Sequence, residues 1–251
     1  MIVDGDSRSP RVAGGDAPER RIALESSRTL NEATLQRVRA RYEGEHGRAW
    51  ERIETARPAS YFEENVAFGR RPFVRRLLEW LEPQAGLRVL DGGCGLGRVA
   101  AELAGHGASV TGIDLVPRFV EAARRTASSV SLEFDAGSFV DRLRPDGKQA
   151  GYAALLLLGV LEDYAPAERH ELIRHVADAA VPRVYLAFRF SDDRGGRLWN
   201  LFPEARQQSI NSIELLRWIH LHTAYRQRRQ DRFVRRNFRC HLAELVREPV
   251  A

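Results

Sequence analysis

The sequence predicts an α/β fold in which helices cover both faces of a parallel sheet. Between residues 88 and 188, short apolar segments of strand length alternate with segments of helical length, which is typical of a covered parallel sheet. A helical arm is expected before this region, and an antiparallel hairpin after it, where apolar and polar side chains alternate. With 251 residues, the chain is long enough to bury one sizeable core.

The N-terminal segments differ from the main domain in their patterning. Residues 1–20 mix glycine, proline, serine and charges without an apolar period, so a disordered tail is expected. Residues 21–82 predict a helical arm or lid, because apolar residues recur there at helical spacing and Pro83 follows. Residues 83–251 are expected to form the main domain.

The main domain is predicted element by element from this alternation. Strands are expected at residues 88–91, 109–114, 130–134, 152–158 and 184–188, and helices at 99–105, 117–127 and 167–179. Residues 191–209 predict a loop that docks on an apolar surface through Trp199, Leu201 and Phe202. A helix at 213–222 and a hairpin with strands around Phe233 and at 238–245 are expected to close the sheet edge.

Composition narrows the class of protein and of ligand. Lys148 is the only lysine among 39 basic residues, and the net charge is +5. The planar guanidinium group of arginine suits carboxylates and phosphates, so an acidic small molecule, an anionic lipid surface and a nucleic acid all remain possible ligands. Two cysteines exclude a disulfide scaffold or a four-cysteine zinc site. They favour a reducing, cytoplasmic location. The longest apolar run, residues 152–161, is about half of a membrane-spanning helix.

Residues 89–97, VLDGGCGLG, predict a strand that enters a glycine-rich turn and then a helix. Glycines at such a turn permit positive φ angles and let a ligand approach the backbone amides beside a helix N-terminus. The spacing is G-x-G-x-G, which differs from the dinucleotide pattern G-x-G-x-x-G. Asp91 would repel a pyrophosphate but can accept hydrogen bonds from an ammonium group, so the turn favours a cationic amino-acid ligand.

A second acid supports a nucleoside ligand. Asp114 is expected to end the next strand, where a carboxylate can accept hydrogen bonds from both ribose hydroxyls. This set of residues resembles the seven-strand methyltransferases that use S-adenosylmethionine. The resemblance implies a Rossmann-like, seven-strand sheet with Asp91 near the amino-acid end of the cofactor. It also implies that Asp114 binds the ribose. The turn glycines and Leu115, which follows Asp114, would line the cofactor (Gly93, Gly95, Gly97 and Leu115).

Two positions depart from the pattern of that family. Its usual Gly-Asp after the third strand is Gly137-Ser138 here, so the adenine contact is assigned to Ser138 or to a neighbour such as Asp135. Its usual Phe-Asp at the start of the fourth strand is Tyr152-Ala153. These departures leave open an alternative, a non-catalytic module that keeps the fold in order to bind a ligand or a partner.

Residues 38–247 also resemble the magnesium-protoporphyrin IX O-methyltransferases. The shared features, in order, are Tyr42 and Trp50, Gly69-Arg70, Leu201-Phe202-Pro203 with Arg206, and residues 244–247. The resemblance implies O-methylation of a carboxylate or hydroxyl on a small or macrocyclic acceptor. Arginines would bind acceptor carboxylates and an aromatic side chain would face the ring; the candidates are Arg70, Arg189, Arg206 and Phe202.

Tyr42 and Asp163 are the candidate catalytic residues. In this family a histidine follows the fourth strand and acts with the arm tyrosine, and the aligned residue here is Asp163. An aspartate would repel an ionised carboxylate acceptor unless it were protonated or paired with an arginine. With a phenol, hydroxyl or amine acceptor, Glu162 or Asp163 can act as a base or bind a cation. The alternatives are that Asp163 caps the next helix and that Tyr42 is a plain core residue.

Other acceptors and partners stay open. A quinone-precursor phenol or an RNA are the alternative substrates, although the arginine run at 226–236 is interpreted as a charged hairpin edge, which also prevents strand aggregation. Nucleic acid is therefore not expected as the partner, while peripheral contact with a membrane is left open. No metal site is expected, because His220, His222, Cys240 and His241 lack tetrahedral ligand spacing.

Overall fold

The computed structural model describes residues 32–44, 72–127, 129–143, 151–189, 210–235 and 238–249. The helices are α1 Glu32–Glu43, α2 Pro72–Leu81, α3 Arg98–Gly105, α4 Pro117–Thr126, α5 Phe139–Leu143, α6 Pro166–Asp178 and α7 Ser212–His222. The strands are β1 Arg88–Gly92, β2 Ser109–Asp114, β3 Leu132–Ala136, β4 Ala154–Leu158, β5 Arg183–Arg189, β6 Tyr225–Arg235 and β7 Phe238–Arg247. A short 3₁₀ turn, Leu161–Asp163, follows β4.

The strands form one seven-stranded sheet in the order β3-β2-β1-β4-β5-β7-β6. The first five strands in this order pair in parallel, and β7 lies antiparallel between β5 and β6. The predicted α/β fold with its C-terminal hairpin is therefore confirmed. The chain moves outward from β1 to β3 and then returns to β4 on the other side of β1. A crevice opens at such a reversal, outside the carboxyl ends of the strands.

The core lies on both faces of this sheet. In β4, Leu155 and Leu157 face one cluster with α5, α6 and α7, while Ala154 and Leu156 face the other with α2, α3 and α4. All four residues are fully buried. Strands covered on both faces have almost continuous apolar sequences, and this is why residues 152–161 are apolar without being a membrane span.

The β6–β7 hairpin buries a charged residue inside the sheet. Glu244 of β7 is fully buried; its Oε1 lies 2.8 Å from the Tyr185 hydroxyl and its Oε2 lies 3.3 Å from Arg229 Nε. The Tyr185 hydroxyl is also 3.3 Å from the carbonyl oxygen of Trp80. This cluster connects the hairpin to the end of α2, and the tyrosine hydrogen bond and the arginine charge offset part of the cost of burying the carboxylate.

Some boundaries differ from the sequence predictions. The third strand begins at Leu132 instead of residue 130, because Val130 lies fully exposed in the preceding turn. Helix α5 was not predicted; the Ser138 hydroxyl accepts a hydrogen bond from the Val140 amide at its start. The predicted tail and the parts of the arm at 21–31 and 45–71 lie outside the described residues. Of the helices in the described ranges, none combines the length and hydropathy needed to cross a membrane.

Candidate cofactor and acceptor site

The glycine turn, residues 92–97, has the conformation that its sequence requires. Gly93, Gly95 and Gly97 have φ angles of +73°, +54° and +71°, a region that other residues adopt at a cost. A Cβ atom placed on Gly97 would lie 2.2 Å from Phe134 Cζ, whereas one on Gly95 would meet nothing within 4 Å. Gly97 is thus needed for packing at the start of α3, while Gly95 borders open space where a ligand can approach the backbone.

Asp114 connects the end of β2 to this turn. Its Oδ2 accepts a hydrogen bond from the Gly95 amide at 2.8 Å, and its Oδ1 accepts one from the Val116 amide at 2.9 Å. Burial raises the pKa of Asp114, and these two backbone hydrogen bonds oppose the rise. A carboxylate oxygen accepts more than one hydrogen bond, so both oxygens can also receive ribose hydroxyls. The geometry fits the role predicted for Asp114.

Asp91 lies at the end of β1, beneath the turn. The residue is 3% exposed, and burial, followed by the charge of Asp114, raises the pKa of its carboxyl group to about 7. A cation placed beside this group would favour its ionised form. The structure therefore has a buried acidic group beneath the glycine turn, which is compatible with the role predicted for Asp91.

The adenine contact was assigned to Ser138 or Asp135, and the structure distinguishes their surroundings. Asp135 contacts the guanidinium groups of Arg142 and, at 3.5 Å, of Arg124. The Ser138 hydroxyl accepts one hydrogen bond from the Val140 amide and has its own proton to donate. Leu115 packs against the core directly after Asp114. Ser138 thus stays the predicted adenine contact, and Leu115 stays a predicted cofactor-lining residue.

The arm helix α1 brings the two predicted catalytic residues together. The Tyr42 hydroxyl donates a hydrogen bond of 2.7 Å to Asp163 Oδ2, and Arg41 Nη1 lies 3.1 Å from Asp163 Oδ1. Asp163 does not cap α6, since that role belongs to Glu168, whose Oε2 accepts a hydrogen bond of 2.7 Å from the Ala165 amide. Asp163 therefore binds the arm. Burial and Asp163 raise the pKa of the Tyr42 phenol, so the phenol stays protonated.

The turn that carries Asp163 adjoins the glycine turn. A Cβ atom on Gly93 would lie 2.5 Å from Val160 Cγ2, and the Asp163 amide donates to the Val160 carbonyl at 3.2 Å. The Tyr42–Asp163 pair consequently borders the crevice that contains Asp91 and Asp114. The charge of Asp163 contributes to the raised pKa of Asp114, which agrees with this proximity.

The other side of α1 contacts the β2 side of the crevice. Arg118 of α4 donates a hydrogen bond to the Tyr42 carbonyl, and the Tyr42 and Phe119 rings meet edge to face at 6.2 Å. The arm therefore spans the crevice from the end of β4 to the start of α4. Asp163 on the β4 side and Arg118 on the α4 side hold helix α1 in this position.

Sequence reasoning missed several residues that hold the arm. Thr34 Oγ1 and Arg37 Nη2 lie 2.9 Å and 2.7 Å from the Glu168 carboxylate, and Arg37 also donates to the Asp163 carbonyl at 3.3 Å. The four-residue spacing of Arg37 and Arg41 puts both on one helix face. That spacing was a signal, but it does not say which acids face it.

Most predicted acceptor residues lie beyond what the structure describes. Arg70, Phe202 and Arg206 are outside the described residues, and Arg189 ends β5 opposite Cys240 with its side chain not described. Two arginines of the 226–236 run are paired within the chain: Arg226 with Glu248 at 3.1 Å and Arg229 with Glu244 at 3.3 Å. This pairing agrees with a charged sheet edge. Within the described ranges, no His, Cys, Asp and Glu side chains group as metal ligands would.

Comparison with known proteins identifies the class. A family model described as a methyltransferase domain matches residues 89–183, the segment from β1 to the start of β5. Together with the seven-strand order, the match shows that this segment is a methyltransferase domain with the class I fold. The resemblance found in the sequence is confirmed at this level.

Individual relatives narrow the comparison. Magnesium-protoporphyrin O-methyltransferase of Synechocystis sp. is 30% identical over 144 residues, which cover 55% of this chain and 61% of that protein. Ubiquinone biosynthesis O-methyltransferase of Methylocella silvestris is 44% identical over 81 residues, covering 32% and 31%. The chain spans less than two thirds of the length of both relatives.

A solved structure shares the fold over most of its length. Magnesium protoporphyrin IX methyltransferase of Synechocystis PCC 6803, with bound S-adenosylmethionine, superposes with a TM-score of 0.65 at 22% identity. The match covers 86% of this chain and 97% of that one. The similarity therefore includes elements outside the family match as well as the central strands.

Proposed function

We propose that this protein transfers a methyl group from S-adenosylmethionine to an oxygen atom, a carboxylate or a hydroxyl, of a small or macrocyclic acceptor. The observation that carries the proposal is the arm helix, which places Tyr42 on Asp163 at 2.7 Å beside the crevice of a methyltransferase domain. A domain that only bound the nucleoside would not need a buried phenol and carboxylate at this edge. The O-methyltransferase relatives agree with the choice of oxygen.

The residues around the crevice fit the cofactor. Gly95 has a positive φ and open space on its Cβ side, so a ligand can lie against the backbone there. Asp114 would accept the ribose hydroxyls, Asp91 would face the ammonium group, and Ser138 would donate to adenine. When bound, the cofactor supplies an electrophilic methyl carbon on a cationic sulfur.

The remaining task of the protein is to position the acceptor and exclude water. Holding the acceptor oxygen in line with the methyl group removes the entropic cost of bringing the two together during the reaction. Water exclusion strengthens the attraction between an acceptor oxygen and the cationic sulfur centre. Helix α1 serves both purposes because Thr34, Arg37, Arg41 and Tyr42 fasten it to Asp163 and Glu168. The predicted acceptor arginines and Phe202 would bind the acceptor.

Cofactor binding is the first test. Calorimetry with S-adenosylmethionine and its demethylated product should show binding to the native protein, a loss of at least tenfold in affinity in Asp114→Ala, and no change in Asp178→Ala, an exposed acid of α6. The second test is a mixed-acceptor assay with a metalloporphyrin, a quinol and phenols, with products identified by mass spectrometry. Absence of cofactor binding, or binding without methyl transfer to any acceptor, contradicts the proposal.

A further inference from the structure

The direction of the hydrogen bond between Tyr42 and Asp163, the two polar side chains at the crevice, discriminates between acceptors. A phenol has one proton, and the Tyr42 proton is directed at Asp163 Oδ2 across 2.7 Å. The Tyr42 oxygen can then accept a hydrogen bond. At the point where it borders the crevice, the pair therefore offers an acceptor for a proton and no phenolic proton of its own.

From this hydrogen-bond direction we propose that Tyr42 and Asp163 form a proton relay that selects a hydroxyl acceptor, such as a phenol, over an ionised carboxylate. The proposal rests on the proposed methyl transfer to oxygen and names its substrate class. Tyr42 would contact the acceptor and so be a catalytic residue. Asp163 would act through Tyr42 and so be a positioning residue.

Charged and titratable groups from every neighbouring element surround the relay. They are Arg37 and Arg41 of α1, Asp114 at the end of β2, Arg118 of α4, Glu162 and Tyr164 of the turn after β4, and Glu168 and Arg169 of α6. Arg41, at 3.1 Å, supports the negative charge of Asp163 before the reaction. The side chain of Asp163 is only 10% exposed, so bulk water does not replace Tyr42 as its partner.

The reaction step balances with these groups. The acceptor hydroxyl donates its hydrogen bond to Tyr42 Oη. As the acceptor oxygen bonds to the methyl carbon, the carbon–sulfur bond breaks and its electron pair stays on sulfur. The acceptor proton moves to Tyr42 Oη while the Tyr42 proton moves to Asp163. The products are a methyl ether, a neutral thioether and a protonated Asp163, which returns its proton to water once the products leave.

A carboxylate acceptor gains nothing from this arrangement. Its pKa, about 4.3 for a propionate-like group, leaves it ionised near neutral pH, so it has no proton for Tyr42 to accept. It would also bring a second negative charge towards Asp163, and like charges at close range repel. A hydroxyl near pKa 10 needs deprotonation during the reaction, which is what general-base catalysis supplies.

The test uses the full chain and pairs of aromatic acceptors that share a ring and differ in carrying a phenol or a carboxylate. Methyl ethers and methyl esters are separated by mass spectrometry. The native protein should form ethers with at least tenfold higher kcat/KM than esters. Tyr42→Phe and Asp163→Asn should each lower kcat for the phenol by about 100-fold or more and change its pH profile. Asp163→His should shift the product ratio towards esters.

Two further measurements distinguish the relay from a purely structural role of Tyr42 and Asp163. The second of them does not require catalytic turnover. Thr34→Val loosens the arm at Glu168 without touching the pair, so it should keep the native pH profile. Binding of 4-nitrophenol in the presence of the demethylated cofactor should show the phenolate absorbance band at a higher pH than free probe, because Tyr42 accepts the hydrogen bond of the neutral phenol and Asp163 is negatively charged, and Tyr42→Phe should reduce that shift.

The outcomes distinguish the two proposals. Esters as the main native product overturn the relay while the proposed methyltransferase function stands. Ether formation with a kcat and pH profile unchanged in Tyr42→Phe also overturns the relay. No methylated product from any acceptor overturns both the relay and the proposed function.

Discussion

A matched pair of substitutions in the glycine turn tests how backbone conformation and packing divide between its residues. Gly95→Ala and Gly97→Ala both place a side chain at a positive φ, +54° and +71°, which costs about 1–2 kcal/mol in the left-handed region. Only at Gly97 does the new methyl meet buried atoms, Phe134 Cζ at 2.2 Å and Ala123 Cβ at 3.0 Å. Displacing a packed aromatic ring adds about 1–3 kcal/mol.

We therefore expect Gly97→Ala to lower the free energy of unfolding by about 2–5 kcal/mol and Gly95→Ala by about 1–2 kcal/mol. Urea unfolding of the cofactor-free proteins, followed by tryptophan fluorescence and circular dichroism, measures both with linear extrapolation. Calorimetry should show the reverse order for S-adenosylmethionine, because the methyl on Gly95 enters the open space of the proposed cofactor site. Equal destabilisation by the two substitutions would refute the reasoning.

Three further predictions concern the acids of the site. Asp114→Asn should weaken S-adenosylmethionine binding by about 10–100-fold, since hydrogen bonds to charged groups contribute about 1.5–3 kcal/mol; calorimetry against Glu133→Gln, an exposed acid of β3, provides the control. The pKa of Asp91 rises from 3.8 to about 7 on burial, so the folded state binds more protons between these values and the free energy of unfolding falls as pH rises from 4 to 7. In Asp91→Asn this part of the pH dependence should disappear, and urea unfolding at pH 5 and 8 would detect it; equal slopes for the two proteins would contradict the assignment. Glu168→Ala should release the arm, because Thr34 and Arg37 lose their acceptor, and faster proteolysis within residues 32–44, absent in Glu171→Ala, would show it.

Local signals determined much of the fold. The strand predicted at 109–114 has these bounds in the structure, because an alternating segment between turn residues has few competing conformations. The glycine turn was also predicted, since each of its positions needs a backbone angle that glycine adopts at little cost. The third strand was displaced by two residues because an apolar residue, Val130, lies exposed in a turn, and residue type alone does not encode such exposure.

The candidate site was only partly determined in this way. The sequence by itself predicted Asp91 and Asp114 from the glycine turn and the strand ends, and Tyr42 and Asp163 from the resemblance to a family. Tertiary structure alone decided that Tyr42 and Asp163, 121 positions apart, share a hydrogen bond, and that Glu168 rather than Asp163 caps α6. It also decided which acids the arginines of α1 contact. Partners this far apart in the chain are chosen by the packing of the arm across the sheet, and no local pattern specifies that packing.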